Sequence, residues 1–141
     1  MKKTKKFGIF MTVLACLLLT VCLAVSWYLG GQKRVLERYA LSIARGNASD
    51  YALSTGKDPG DADAFKQSTR QRFTGSGDFP DLKENDLIGA DVKIKSRRML
   101  TLTRWELGAE IWYFSGKMNR RDPVSSYEVV FSEGSWKVTE P

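Results

Sequence analysis

The sequence predicts an α+β protein in which a transmembrane helix precedes a domain of helices followed by an antiparallel sheet. Residues 7–29 form an apolar run without a charged side chain. Residues 32–45 repeat apolar positions at spacings of three and four, which is typical of an amphipathic helix. After Asp86, apolar and charged residues alternate, which is typical of strands. We therefore expect an N-terminal transmembrane helix followed by two helices packed on a curved antiparallel sheet of about four strands.

The apolar run has the length and the flanks of a membrane span. At about 1.5 Å per residue, a helix over residues 7–29 is roughly 35 Å long, and a hydrocarbon core is about 30 Å thick. Trp27 and Tyr28 lie at its far end, where amphipathic rings favour the headgroup zone. Four lysines precede it, at positions 2, 3, 5 and 6. Since basic flanks stay in the cytoplasm, we expect a single-pass protein of the cell membrane, with a cytoplasmic basic N-terminus (residues 1–6), a transmembrane anchor (7–29) and an exported α+β domain (30–141).

Two other kinds of N-terminal segment are alternatives to a retained anchor. A signal peptide could be cleaved after Ser26, although its apolar stretch usually spans only about 7 to 15 residues. Lipidation at Cys16 or Cys22 is the other alternative. Cys16 is followed by more apolar sequence instead of a polar tether, and Val21 is bulky for the position before a lipidated cysteine. The sequence favours a retained anchor.

Composition excludes several function classes. The formal net charge is +6, but four of the lysines precede the apolar run and every acidic residue follows it, so the rest of the chain is nearly balanced and no nucleic-acid partner is expected. Histidine is absent and both cysteines lie in the apolar run, which removes the usual zinc ligands and the serine or cysteine triads. We expect no metal, no cofactor and no enzymatic activity. Carboxylate chemistry would need Glu106, Glu110 or Glu128, and their alternation favours a solvated face.

The helical part of the domain begins after Gly30-Gly31, which we interpret as the exit from the membrane. The amphipathic helix over residues 32–45 ends at Gly46-Asn47, because both residues tolerate the left-handed conformation. A short helical turn over 48–54 follows. Asp61 or Asp63 caps a second helix that runs to about Phe73. The glycine-, proline- and acid-containing stretch 74–85 is expected to be an exposed loop.

The second half of the chain is expected to form the sheet. Gly108 is interpreted as a bend, residues 116–123 as a loop, and Glu133-Gly134 as the turn of a closing hairpin. The strand-like segments are residues 92–97, 99–106, 109–115, 126–131 and 135–139.

The closing hairpin carries a resemblance to a known superfamily. Tyr-Glu-Val-Val-Phe at 127–131 and Glu-Gly-Ser-Trp-Lys-Val at 133–138, after two helices, resemble the nuclear-transport-factor-like (cystatin-like) α+β superfamily in a small, membrane-anchored, exported bacterial form. Among anchored members, the small scaffold subunit of type IV secretion and conjugation machines has a similar layout. The resemblance implies a cone whose concave sheet often holds a pocket. The superfamily includes enzymes, ligand binders and assembly modules, so the fold alone assigns no function.

These observations predict a membrane-tethered extracytoplasmic protein-interaction module, an assembly component of an envelope, secretion or conjugative transfer machine. The expected partner is an envelope protein or a second copy of the chain. A basic row on the strands is the candidate partner surface: Lys93, Lys95, Arg97, Arg98 and Arg104. Such a row also occurs on merely solvated faces, where it blocks edge-to-edge aggregation.

The alternative function is the binding of a small molecule or a cell-wall fragment in the cavity of the cone. The candidate pocket residues are Tyr39, Trp105, Trp112 and Trp136. Tryptophans in strands more often pack in a core, and Trp136 is expected to pack on the first amphipathic helix.

Overall fold

The computed structural model describes residues 2–139 and has an α+β fold with a four-stranded antiparallel open sheet. The strands follow one another in the order β1-β2-β3-β4, each paired with its sequence neighbour. The chain divides into two compact units that meet between Gly31 and Gln32. The predicted fold class is confirmed at this level. The elements are α1 (Lys2–Arg45), α2 (Ala48–Thr55), α3 (Ala62–Thr74), β1 (Gly89–Thr101), β2 (Arg104–Ser115), β3 (Met118–Ser132) and β4 (Ser135–Thr139).

The first unit consists of the apolar part of α1. Its large apolar side chains from Phe7 to Trp27 are exposed, and by length and composition α1 could cross a membrane. The helix α1 continues without interruption through Gly30-Gly31 to Arg45, and the interpretation of these glycines as the exit from the membrane stays a prediction. A glycine inside a helix costs about 1 kcal/mol relative to alanine. It neither removes a backbone donor nor clashes, so a long helix tolerates two of them.

The helices of the second unit begin and end largely where the sequence predicts. The last part of α1 buries Val35, Leu36, Ala40 and Ile43. Asn47 then caps α2, since its side chain accepts a hydrogen bond from the Asp50 backbone N–H at 3.1 Å. Similarly, the Asp61 side chain accepts from the Ala64 N–H at 2.8 Å at the start of α3. The short turn expected over 48–54 is a helix of eight residues.

The sheet has one apolar face and one largely charged face. The apolar face, called here the inner face, carries Leu107, Ala109, Ile111 and Tyr113 of β2, all buried. The alternate residues Glu106, Glu110, Trp112 and Phe114 lie on the opposite, outer face. The inner face is completed by Val92 of β1, Val129 of β3, and Trp136 and Val138 of β4.

Two predicted interruptions of the sheet are wrong. Gly108 lies in the middle of β2, opposite Ser96, and the β1–β2 turn is at residues 102–103. A Cβ at Gly108 would lie 2.3 Å from Ser96 Oγ, so this glycine leaves room for the Ser96 side chain of the paired strand and does not make a bend. The expected loop over 116–123 is mostly strand, because β3 begins at Met118. Pro123 fits in β3 because an irregularity in the β2–β3 pairing there interrupts the ladder.

The remaining turns give one correction and one confirmation. Residues 75–88 contain neither helix nor long strand, but Phe79 is 1% exposed and its ring packs edge-on against Phe73 at 5.5 Å. This stretch is therefore only partly exposed. The closing hairpin is confirmed: Glu133 and Gly134 both have positive φ, 53° and 78°, as a two-residue hairpin turn requires.

Candidate functional site

The two edges of the sheet differ in what lies beside them. The backbone of α2 lies close to β4, whereas no helix in residues 2–139 makes a comparable contact with β1. Along β1 runs a shallow groove of about 650 Å³, which we call the β1 groove. Three of the five basic candidates from the sequence line it, namely Lys93, Lys95 and Arg97. The groove is lined by Lys33, Asp91, Val92, Lys93, Ile94, Lys95, Ser96 and Arg97.

The predicted basic row does not lie on one face of β1. Lys93 is opposite Glu110 and so lies on the outer face, but the pairing shifts between Ile94 and Ser96. After this bulge, Arg97 is opposite Leu107, which belongs to the inner face. The prediction that residues 92–97 alternate strictly between the two faces of the sheet is therefore wrong. The bulge adds Lys95 as an extra residue, so each residue after it lies on the face opposite to the predicted one. Lys93 and Arg97 nevertheless both line the β1 groove.

Three of the five candidate basic residues form ion pairs within the sheet. Arg98 Nη2 lies 2.9 Å from Glu106 Oε2, and Arg104 Nε lies 3.0 Å from Glu128 Oε1. Lys95 Nζ lies 3.7 Å from Glu110 Oε2. Lys93 and Arg97 form no ion pair with any residue from 2 to 139. The charge of the candidate surface is thus partly neutralised on the outer face, whereas the charges of Lys93 and Arg97 in the β1 groove remain uncompensated by residues 2–139.

Glu110 is the centre of a charge cluster on the outer face. Its carboxylate also contacts Arg121, whose Nε lies 2.7 Å from Oε1, and the Glu110 side chain is only 5% exposed. Burial would raise the pKa of Glu110, but the Trp112 hydrogen bond and the charges of Arg121 and Lys95 outweigh it and lower the pKa below its usual value. The cluster holds Glu110 ionised and ties β1 and β3 to the centre of the sheet.

The candidate tryptophans do not form one pocket. Trp112 lies on the outer face, with the Arg121 guanidinium 5.5 Å from its ring centroid. Trp136 is 6% exposed and packs edge-on against Phe131 at 5.3 Å, within the hairpin itself. Trp105 is half-buried, and its indole N–H has no hydrogen-bond partner in the described part of the chain. Trp112 thus lies on the opposite face of the sheet from Trp105 and Trp136, and none of the three lines the cavity described next.

Of the four pocket candidates, Tyr39 lines a cavity against the inner face of the sheet. This inner cavity has a volume of about 120 Å³. Burial, followed by the neighbouring Asp122 charge, raises the pKa of Tyr113 well above its usual range, and the same causes raise the pKa of Tyr127. Both phenols are therefore neutral hydrogen-bonding groups at physiological pH. The lining residues are Tyr39, Ile43, Arg72, Phe73, Tyr113, Arg120, Asp122 and Tyr127.

The polar wall of the inner cavity was missed by reading residues 116–123 as a loop. Arg120 and Asp122 are opposite Tyr113 and Ile111 and so lie on the inner face. Arg120 Nε contacts Asp122 Oδ1 at 2.9 Å. Their two-residue spacing is the signal of a strand, but the surrounding glycine, asparagine and proline obscured it. Arg120 and Asp122 pair with each other, and Tyr113 and Tyr127 supply neutral hydroxyls to the cavity.

Comparison with known proteins yields little. No family model matches the chain, and no curated protein matches it. Among solved structures, the chain is similar to a SEC-C motif containing protein from Rhodopseudomonas palustris, with a TM-score of 0.41 and 14% sequence identity over 73% of this chain and 70% of that one. A likeness at this level carries no inference about function. In residues 2–139, no group of three or more aspartate, glutamate or cysteine residues is arranged to hold a metal ion.

Proposed function

We propose that this protein is a membrane-tethered extracytoplasmic interaction module, an assembly component of an envelope, secretion or conjugative transfer machine. One observation carries the proposal: a helix with an exposed apolar stretch is covalently continuous with a domain whose sheet has a long, basic edge strand that pairs on one side with β2. An apolar helical surface of this kind is stable in lipid. Tethering raises the local concentration of a domain and lets weak contacts suffice.

The four lysines before the anchor support a cytoplasmic N-terminus and an extracytoplasmic domain. The arrangement of carboxylates supports interaction over catalysis. Glu106, Glu110 and Glu128 each form an ion pair with an arginine on the outer face. A general acid needs a raised pKa, whereas the pKa of Glu110 is lowered.

The first experiment tests the tether. The full-length protein, with a C-terminal epitope tag, should stay in the membrane after carbonate extraction, and external protease should remove the tag from intact spheroplasts. A cytoplasmic marker protein that stays intact controls for lysis. A soluble product that begins at Trp27 would contradict the anchor, and a protected tag would contradict the orientation.

The second experiment tests interaction. A photo-crosslinking amino acid at Arg97, beside the β1 groove, and another at Lys117, in the β2–β3 turn, report contacts of the protein in its native membrane. We expect crosslinks to a distinct envelope protein from at least one of these two positions. Crosslinks to lipid alone from every position would contradict the proposal.

A second candidate function is the binding of a small polar molecule in the inner cavity. It is favoured by the neutral phenols of Tyr113 and Tyr127 beside Tyr39. The cavity of about 120 Å³ is small beside the roughly 300 to 1,000 Å³ of drug-sized sites, so its ligand would have only a few heavy atoms. Saturable chemical-shift changes at these tyrosines on adding a small polar metabolite, lost in Tyr127→Phe, would support this candidate.

A further inference from the structure

We propose that the β1 groove binds an extended acidic segment of a partner protein, which adds to the sheet as a fifth strand beside β1. This inference rests on the proposed function and names the chemistry of the partner and its mode of binding. It depends on three properties of the groove: its backbone, its charge and the alternation of its side chains.

The backbone of β1 is suited to strand addition. β1 is 13 residues long and is the first strand in the sheet order, so β2 pairs with only one of its two sides. The other side of an edge strand presents unpaired N–H and C=O groups. Lys33, from α1, forms part of the lining opposite the strand, which makes the site a groove and not a bare edge. An extended peptide obtains its affinity at such an edge from main-chain hydrogen bonds.

The charge of the groove selects an acidic occupant. Four of its lining residues are basic and one, Asp91, is acidic. Lys93 and Arg97 form no ion pair with residues 2–139. Lys33 and Lys95 form long pairs of 3.6 and 3.7 Å and keep 49% and 42% of their side-chain surface exposed. Glutamate or aspartate on an added strand would therefore meet partly uncompensated positive charge.

The same charges disfavour a second copy of this chain as the occupant. If β1 paired with β1 of another copy, antiparallel and in register across these residues, lysine and arginine side chains would face one another. Like charges directly opposite in a sheet are destabilising. A second copy is therefore a poorer occupant than an acidic strand from a different protein.

Side-chain alternation along β1 predicts the pattern of the occupant. Lys93 lies on the outer face, whereas Val92 and Ile94 lie on the inner face, and Ile94 is half-buried. Since cross-strand neighbours share a face, acidic residues of an added strand would lie beside Lys93. Apolar β-branched residues would lie beside Ile94. Beside residues 92–94, the recognised segment therefore alternates acidic and β-branched residues. After the bulge the faces are inverted, so an acidic residue beside Arg97 lies on the inner face.

The test uses the full-length protein in nanodiscs of uncharged phosphatidylcholine. The probe is a fluorescein-labelled peptide of about nine residues in which glutamate alternates with valine. We expect saturable binding, and we expect the double substitution Lys93→Glu with Arg97→Glu to weaken it at least about tenfold. The matched control is Lys57→Glu with Lys117→Glu, since both lysines are exposed and form no ion pair with described residues. This control should bind the probe as the wild type does. Lys95 is left unchanged because a glutamate there would face the Glu110 carboxylate.

Strand addition has two further readouts. Amide hydrogen exchange over residues 91–97 should slow when the peptide binds. A peptide with proline in place of valine keeps the charge but cannot donate the ladder hydrogen bonds, so it should bind at least about tenfold more weakly.

Several outcomes would overturn the inference. They are equal binding of the proline peptide, no change in exchange over 91–97, or no binding of the glutamate–valine peptide at up to about 1 mM. Binding to anionic vesicles that requires Lys93 and Arg97, without peptide binding, would assign the groove to lipid. The proposed function is tested separately. Crosslinks to an envelope protein from Lys117 but not from Arg97 would retain the interaction module and reject the β1 groove as its binding site.

Discussion

The two edges of the sheet are protected in different ways. β4 is five residues long, carries the buried Trp136 and Val138, and has the short helix α2 beside it. β1 is 13 residues long and is exposed from Lys95 to Thr101. A bulge and charged side chains protect it from pairing with another edge strand. Short, covered edge strands and long, charged, bulged ones are two solutions to the same hazard of edge-to-edge aggregation.

The two edges therefore have different roles: the β4 edge stabilises the fold, and the β1 edge is available for recognition. The β4 edge contributes apolar burial, which is lost when a large side chain is removed. The β1 edge contributes little burial beyond Val92, so its charges can change at small cost to folding. The exposed part of β1, from Lys95 to Thr101, adds little to the core and is available for a partner. The following predictions test that separation in order of decreasing effect.

The largest expected effect is at the β4 edge. Trp136→Ala removes a ring that is 6% exposed and in edge-on contact with Phe131, and should lower the free energy of unfolding by about 3 to 5 kcal/mol. Thermal or urea unfolding of the full-length protein in detergent, followed by far-UV circular dichroism, measures it. Leu102→Ala in the β1–β2 turn, 78% exposed, is the control and should stay within about 0.5 kcal/mol. Equal melting of both variants would contradict the role given to β4.

A smaller effect is expected at the cluster that joins the bulge of β1 to β3. Because the pKa of Glu110 is lowered in the folded protein, its ionised form stabilises the fold above the usual value of 4.5, and this contribution is lost as the pH falls through the lowered pKa. Glu110→Gln should therefore destabilise the protein at neutral pH, and the difference from wild type should shrink below about pH 4.5.

Urea unfolding at several pH values measures this difference. Glu128→Gln is the control, since the Arg104 pair is more exposed and should be worth about 0 to 1 kcal/mol. A Glu110→Gln effect that grows on acidification would contradict the assignment of charge to Glu110.

The smallest effect on stability is expected along the β1 groove. Replacing Lys93 and Arg97 by threonine should change the free energy of unfolding by less than about 0.5 kcal/mol, because both side chains are exposed. The same change should increase self-association, since it removes the like-charge repulsion that opposes β1–β1 pairing. Analytical ultracentrifugation in detergent measures the self-association, with the double substitution Lys57→Thr and Lys117→Thr as the control. A monodisperse variant would show that the bulge alone protects this edge.

Elements defined by local chemistry could be predicted from the sequence. The cap at Asp61, the helix over the second half of α1 and the Glu133-Gly134 turn each depend on residues within a few positions of one another. The antiparallel meander followed from strand-like segments joined by short turns. The transmembrane reading of residues 7–29 stays a prediction.

Features that depend on pairing between strands could not be predicted in the same way. Glycine is typical of a bend, but the structural role of Gly108 is set by its contact with Ser96 on the adjacent strand. The bulge at Lys95 inverts the face of Arg97 without any local signal in residues 92–97. Polar residues 119–122 have the composition of a loop, although two of them form the wall of the inner cavity. In each case the partner strand, distant in sequence, decides the outcome.

The simple strand order also has a kinetic consequence. Every strand pairs only with the strand before or after it in the chain, so each hairpin closes over a short loop and the mean sequence separation of contacts stays low. The sheet can grow in chain order, a route in which β4 with Trp136 is the last strand to be added. Both cysteines lie in the apolar part of α1, so this assembly requires no oxidative step and its rate should be the same in reducing and oxidising surroundings.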